Sequence, residues 1–254
     1  MKTLLLSASA LIVLTSLAAA ADLPSPSAVA VPKAPPVFSW NGFYAGFHGA
    51  WLRDDGEAVR SSLTGVPADV VPVRAGLSAS GLGGGAQIGH LWQFGRFVAG
   101  LETDLSLLDL DRTRSFESDL GGATLRTDLS TQMNLFGTVK GRLGVTMPSL
   151  LPVVQQSLVY VTGGLAYVQI ERQGQVTVTP PGVGPQARSE GWTTGFVIGA
   201  GTEHMLTQTI SIKSETLYYN LTDETLTLAR AGDQVSYRFK NDGWISRIGL
   251  NVRF

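Results

Sequence analysis

From Asn41 to the C-terminus, apolar residues alternate with small or polar ones over stretches longer than a soluble fold uses. Eight such segments can be counted: Gly42–Leu52, about Ser80–Trp92, Arg96–Leu108, about Asp128–Val145, Ser157–Gln169, Gly191–His204, Thr207–Asn220 and about Trp244–Phe254. A period of two is the pattern of a strand with unlike faces. Strands of soluble proteins average about five or six residues, whereas a tilted strand crossing a bilayer takes about nine to eleven. The last segment is the clearest. Trp244, Ile248, Leu250, Val252 and Phe254 share one face, and Ile245, Arg247, Gly249, Asn251 and Arg253 the other. In the fourth, Leu129, Met133, Leu135, Val139, Leu143 and Val145 alternate with Ser130, Gln132, Asn134, Thr138, Lys140 and Arg142. Ser157–Gln169 is too apolar for its faces to be assigned.

Only a helix or a closed barrel satisfies every backbone group in hydrocarbon. No segment after the first twenty residues has the 18 consecutive apolar residues of a candidate spanning helix. A membrane reading therefore predicts an all-β fold, an eight-stranded antiparallel up-and-down transmembrane β-barrel over residues 40–254. Composition agrees, with 15% charged residues and 30 glycines among 254, against roughly 25% and 7% in ordinary soluble domains. A soluble all-β protein could share that composition, so the connections carry more weight. Trp92–Arg96, Thr146–Gln156 and Met205–Leu206 are the shorter ones, while 53–79, 109–127, 170–190 and 221–242 are long and hold many acids and prolines. Short periplasmic turns opposite long outer loops are the habit of outer-membrane barrels. Aromatics near the segment ends fit two membrane girdles: Trp40, Phe43, Trp92, Phe94, Phe97 and Phe254 on the periplasmic rim, and Trp51, Trp192, Tyr218 and Trp244 on the outer one.

The N-terminus reads as export signal. Lys2 precedes an apolar core, Leu4–Leu17, and then small residues, Ala18–Ala21. This predicts a signal peptide at 1–20 rather than a membrane anchor. Residues 21–39 contain Pro24, Pro26, Pro32, Pro35 and Pro36, which exclude regular ladders, and predict a Pro-rich periplasmic tether.

Composition excludes several chemistries. Cysteine is absent, so there are no disulfides or thiol nucleophiles. The net charge of −1 gives no basis for nucleic-acid binding. His48, His90 and His204 are the only histidines, and no G-x-S-x-G, phosphate-loop or calcium-loop motif occurs. No enzyme, metal site or cofactor is predicted. Alternation turns Glu102, Asp104, Lys140, Arg142, Glu203, Lys213, Glu215, Arg247 and Arg253 inward. Buried charges must be paired and hydrogen-bonded, so these nine predict an interior ion-pair network in a mostly plugged lumen. A polar path for small solutes is the alternative.

Asn41-Gly42-Phe43-Tyr44-Ala45-Gly46, the Ala21-Asp22-Leu23-Pro24 opening, Val161-Thr162-Gly163-Gly164-Leu165-Ala166-Tyr167 and the ending Arg247-Ile248-Gly249-Leu250-Asn251-Val252-Arg253-Phe254 together resemble a known family. It is the small outer-membrane β-barrel proteins of alphaproteobacteria, the rhizobial and Brucella-type major outer-membrane proteins. The resemblance implies a barrel akin to the OmpA-type membrane domain, in the outer membrane of a Gram-negative bacterium. It implies assembly by the outer-membrane insertion machinery, which reads a terminal aromatic such as Phe254. The implied surroundings are lipid and lipopolysaccharide, and oligomeric state stays open. The connection Thr146–Gln156, with Pro148 and Pro152, departs from the family's tight turn. The expected role is structural, in envelope integrity and surface presentation. A narrow porin and a loop-based adhesin or ligand-binding surface protein are the alternatives.

Overall fold

A computed structural model describes residues 38–254 apart from 66, 67, 70, 120, 149–153, 155, 181 and 231. The expected signal peptide, and all of the expected tether but its last two residues, lie outside the described residues.

Alternation becomes strand throughout. In chain order these are β1 (Gly42–Asp54), β2 (Glu57–Thr64), β3 (Arg74–Gly76), β4 (Ala79–Phe94), β5 (Phe97–Asp119), β6 (Thr124–Pro148), β7 (Gln156–Thr179), β8 (Gly182–Met205), β9 (Ile210–Arg230) and β10 (Asp233–Arg253). All strand pairings are antiparallel, and the sheet order is β1-β4-β5-β6-β7-β8-β9-β10-β2-β3. β1 is bonded along both edges, to β4 over Gly42–Asp54 and to β10 over Tyr44–Asp54.

This overturns the expected eight-stranded up-and-down barrel. The sheet has ten strands, it ends on β3, and β2 and β3 lie beyond β10 instead of between β1 and β4. The reason is in the stretch read as a loop, 53–79. Ala58 and Ala75 are buried there, so this stretch has its own apolar face and adds it to β10. The other three long loops are corrected in the same way. Most of 109–127, 170–190 and 221–242 is strand, because β5 to β10 run for 21 to 25 residues each. Charge and proline content predict loops there, but an exposed strand face is also polar.

A register irregularity near Asn134, between Met133 and Leu135, reverses which parity of β6 faces inward. Leu129 and Met133 are therefore buried, although simple alternation puts them with the outward Val139 and Leu143. A bulge inserts one residue, and one residue exchanges the faces of everything beyond it.

At one end, the turn end, connections are short. At the other, the hairpin end, the sheet divides. The β8–β9 ladder stops at Gly195–Leu221 and the β4–β5 ladder at Leu82–Asp109, yet β5, β8 and β9 continue. Two layers result, β5-β6-β7-β8 and β9-β10-β2-β3. Leu125, Leu129 and Val176 of the first pack with Ala58, Leu226, Leu228, Val235, Tyr237 and Phe239 of the second. Gly174 makes the approach possible, since a Cβ there would lie 3.0 Å from Leu228 Cδ2.

The strands carry the same stripes in the same order. From the turn end, there is an apolar layer (Tyr44, Leu91, Val98, Leu158, Tyr160, Met205), then a charged layer. A second apolar layer follows, including Leu52, Leu110, Phe136, Val168, Leu217 and Ile245. A thin polar layer and the core of the two-layered end complete the series.

Candidate functional site

The charged layer is built from opposite charges on neighbouring strands. Glu102 and Asp104 on β5 face Lys140 and Arg142 on β6, and Lys213 and Glu215 on β9 face Glu203 on β8 and Arg247 on β10. Lys140 Nζ lies 3.0 Å from Glu102, 2.9 Å from Asp104 and 2.7 Å from Glu215. Arg142 reaches Glu102 at 3.1 Å and Glu203 at 2.8 Å. Lys213 is 2.9 Å from Glu102, and Arg247 2.9 Å from Asp104. All eight side chains are buried. Four acids meet four bases, so the layer is neutral, which is the condition for holding charges out of water.

Arg253, the ninth inward residue, stands apart. Its Nη2 donates to the Trp40 carbonyl, its guanidinium lies 5.1 Å from the centre of the Trp40 ring, and it makes no ion pair among the described residues. The other eight are brought together.

Neutral partners, outside the nine charges that alternation singles out, complete the layer. Tyr44 Oη donates to Glu102 at 2.6 Å and accepts from Arg142 at 2.8 Å. Tyr160 Oη donates to Glu215 at 3.2 Å, and the Arg142 guanidinium lies 3.8 Å over the Tyr160 ring. Glycines on the opposing strands make room for both phenols. A Cβ at Gly89 would collide with the Tyr44 hydroxyl, and one at Gly201 with the Tyr160 hydroxyl. A chain of donors runs alongside. Asn251 Nδ2 donates to Glu203 at 2.9 Å, and Gln87 Nε2 to Asn251 Oδ1 at 2.7 Å. Gln87 Oε1 is then left to accept from His48 Nδ1 at 2.5 Å, so His48 Nε2 can accept from Ser106 Oγ at 2.8 Å. The signal for these residues was available, since Tyr44, His48, Gln87 and Asn251 all fall on the inward parity of their strands.

Ser106, His48 and Gln87 have the hydrogen-bond order of a nucleophile, base and orienting group. The geometry does not support that chemistry. Ser106 is 0% exposed, and Arg247 Nη2 points at its Oγ from 3.4 Å. Apolar layers lie on both sides, so no substrate carbonyl reaches the hydroxyl.

The thin polar layer is a second, smaller set. Arg112 lies 2.5 Å from Asp54 and donates to the Leu77 carbonyl. Arg172 pairs with Glu224, which also accepts from Thr193. Glu224 of β9 thus bridges to β7 and β8 just beyond the point where β8 and β9 part. Sequence reasoning put Asp54, Arg112, Arg172 and Glu224 in solvated loops and missed them.

The expected girdle aromatics are mostly outward. Phe43, Trp51, Trp92, Phe94, Phe97, Trp192, Trp244 and Phe254 are exposed, and Tyr218 is half-buried. They flank an apolar outward band that includes Phe47, Leu101, Val139, Leu165 and Leu250. Trp40 is the exception and a correction. It is 0% exposed and packs inside beside Arg253 and Phe38, because the chain before β1 folds under the turn end.

The sequence matches the family model described as outer membrane protein beta-barrel domain over residues 7–254. It is 30% identical over 259 residues to the 31 kDa outer-membrane immunogenic protein of Brucella melitensis, with all of both chains covered. It is 26% identical over 220 residues to the 22 kDa outer membrane protein of Rhizobium leguminosarum, covering 86% of this chain and 80% of that one. Among solved structures, the outer membrane protein OprG of Pseudomonas aeruginosa aligns over 84% of this chain and 96% of its own, with a TM-score of 0.50 and 14% identity. That likeness speaks to the fold. With an apolar outward band, a neutral buried charge layer and these relatives, the chain belongs to the outer-membrane β-barrel domain family of Gram-negative outer-membrane proteins.

Proposed function

We propose that the protein is a structural component of the outer membrane, mostly plugged, that holds a two-layered β structure at the cell surface. One observation carries the reading: the neutral charge layer is enclosed between two packed apolar layers. An ion crossing the interior would have to leave water and pass both apolar layers, at a cost of several kcal/mol. In this reading residues 1–20 are removed on export and 21–39 form a periplasmic tether. The outward aromatics sit at the two membrane interfaces, and the turn end faces the periplasm. The insertion machinery assembles the protein, and lipid and lipopolysaccharide surround it.

Surface presentation rests on a further observation, the separate core of the hairpin end, with Leu129, Leu228, Tyr237 and Phe239 buried in it. That end is a built body and not a set of loose loops. Planar-bilayer recording of the purified full chain tests the plug. The expected trace has no discrete conductance steps. Reproducible steps that vanish with an interior tryptophan substitution, such as Ala166→Trp, would establish the narrow porin instead.

A further inference from the structure

A trough crosses the outward face of β5 to β8 near the hairpin end. Its floor is one cross-strand row, Thr113, Ser130, Gln173 and Arg188. The row on its far side includes Gln175 and Gln186, and the row on its near side includes Gln132 and Glu171. Short side chains at Thr113 and Ser130, between rows of long ones, leave a depression of about 500 Å³. Gln173, Gln175, Gln186 and Arg188 are exposed.

The trough's height is set by the strand. Tyr167 and Trp192 form an outward aromatic pair, with ring centres 6.1 Å apart. Gln173 lies six residues beyond Tyr167 on the same face of β7. At about 3.3 Å per residue and a tilt of about 45°, that places it roughly 14 Å outside the aromatic row. In a lipopolysaccharide leaflet, sugars rather than acyl chains occupy that height.

We propose that this trough binds the core oligosaccharide of the surrounding lipopolysaccharide, a proposal that rests on the outer-membrane placement. Amides and hydroxyls supply both donors and acceptors, as a ring of sugar hydroxyls requires. The polar groups are already positioned. Gln173 Nε2 donates to Glu171 at 2.5 Å, and Arg188 is held 3.0 Å from Glu171. Arg188 also lies 3.9 Å from Glu190, so its charge is balanced by these two carboxylates and the amides and hydroxyls carry the recognition. Asp128, on the far row, is matched by Arg126 at 3.0 Å and Ser115 at 2.5 Å, so it does not repel an anionic saccharide as a free carboxylate would. The trough is continuous along β7 with the lipid-facing band, so one lipopolysaccharide molecule can touch both.

The test uses the full chain in lipid nanodiscs. Its probes are delipidated core oligosaccharide released by mild acid hydrolysis and, separately, the lipid A fraction. Ser130→Trp fills the floor, and Gln175→Ala with Gln186→Ala removes amides without adding bulk. The parent should bind the oligosaccharide saturably, and both variants should bind it roughly five- to tenfold more weakly, as losing one or two hydrogen bonds implies. Retention of lipid A should be the same in all three. No saturable oligosaccharide binding by the parent, equal binding by parent and both variants, or binding of lipid A alone would overturn the proposal. Fractionation of the expressing cells separates the two readings. Parent protein in the outer membrane without oligosaccharide binding removes only the trough assignment, while parent protein outside that membrane removes the placement as well.

Discussion

Glu102 touches Lys140, Arg142, Lys213 and Tyr44, so the charge layer turns on single side chains. Arg247 stands at its other side, on Asp104. Arg247→Ala leaves a buried carboxylate underpaired, and unfolding by urea in lipid vesicles should show a loss of about 3–5 kcal/mol. An unchanged midpoint would remove Arg247 from the stabilising set. Tyr44→Phe takes a donor from Glu102 and an acceptor from Arg142 in a space that glycine keeps open, and should cost about 1–3 kcal/mol in the same assay. Beyond the apolar band, burial pushes the Tyr237 phenol up to about 12. The neutral form is the one the fold favours, so its contribution is complete below about pH 10 and is lost as pH rises through 12. Subtracting the 295-nm titration of Tyr237→Phe from that of the parent should isolate a midpoint near 12. A midpoint near 10 would mean the ring is open to water.

Elements show where the sequence could be read and where it could not. The inward parity of β4, β5, β8, β9 and β10, and of β6 between Asn134 and its turn end, follows from alternation alone, and with it the placement of eight paired charges. Ser157–Gln169, left unassigned, needed its neighbours: Leu158 and Tyr160 face inward and Val159 and Val161 outward only because β6 and β8 fix the register. The irregularity near Asn134 has no local signature, so Leu129 and Met133 were assigned to the wrong face. Asp54 and Arg112 were hidden because an acid or base next to polar residues looks solvated until a partner 58 positions away arrives across the sheet. β2 and β3 were lost for a related reason, since strands of eight and three residues stand out only against the β10 edge they cover. Replacing 57–76 by a short Gly-Ser linker should uncover Leu228, Tyr237 and Phe239. Limited proteolysis in vesicles should then cut within the β9–β10 hairpin while a membrane-protected fragment persists. The absence of new cleavage would show that β2 and β3 contribute little to that core.

At the scale of the molecule, apolar and charged layers alternate along the interior, and the charges are distributed over strands in a way that bears on assembly. β5 brings two negative charges to the layer and β6 two positive ones, so that hairpin adds no net charge to it. β8 brings one negative, β9 one of each sign, and β10 one positive at Arg247. Adding those strands from the C-terminal side, the layer's running sum never exceeds two charges before β5 returns it to zero. An unpaired ion in hydrocarbon costs several kcal/mol, so a chain whose opposite charges all arrived late would face a barrier at every intermediate. Here the ledger stays nearly balanced strand by strand, and partly inserted states are spared most of that electrostatic penalty on the way to the finished structure.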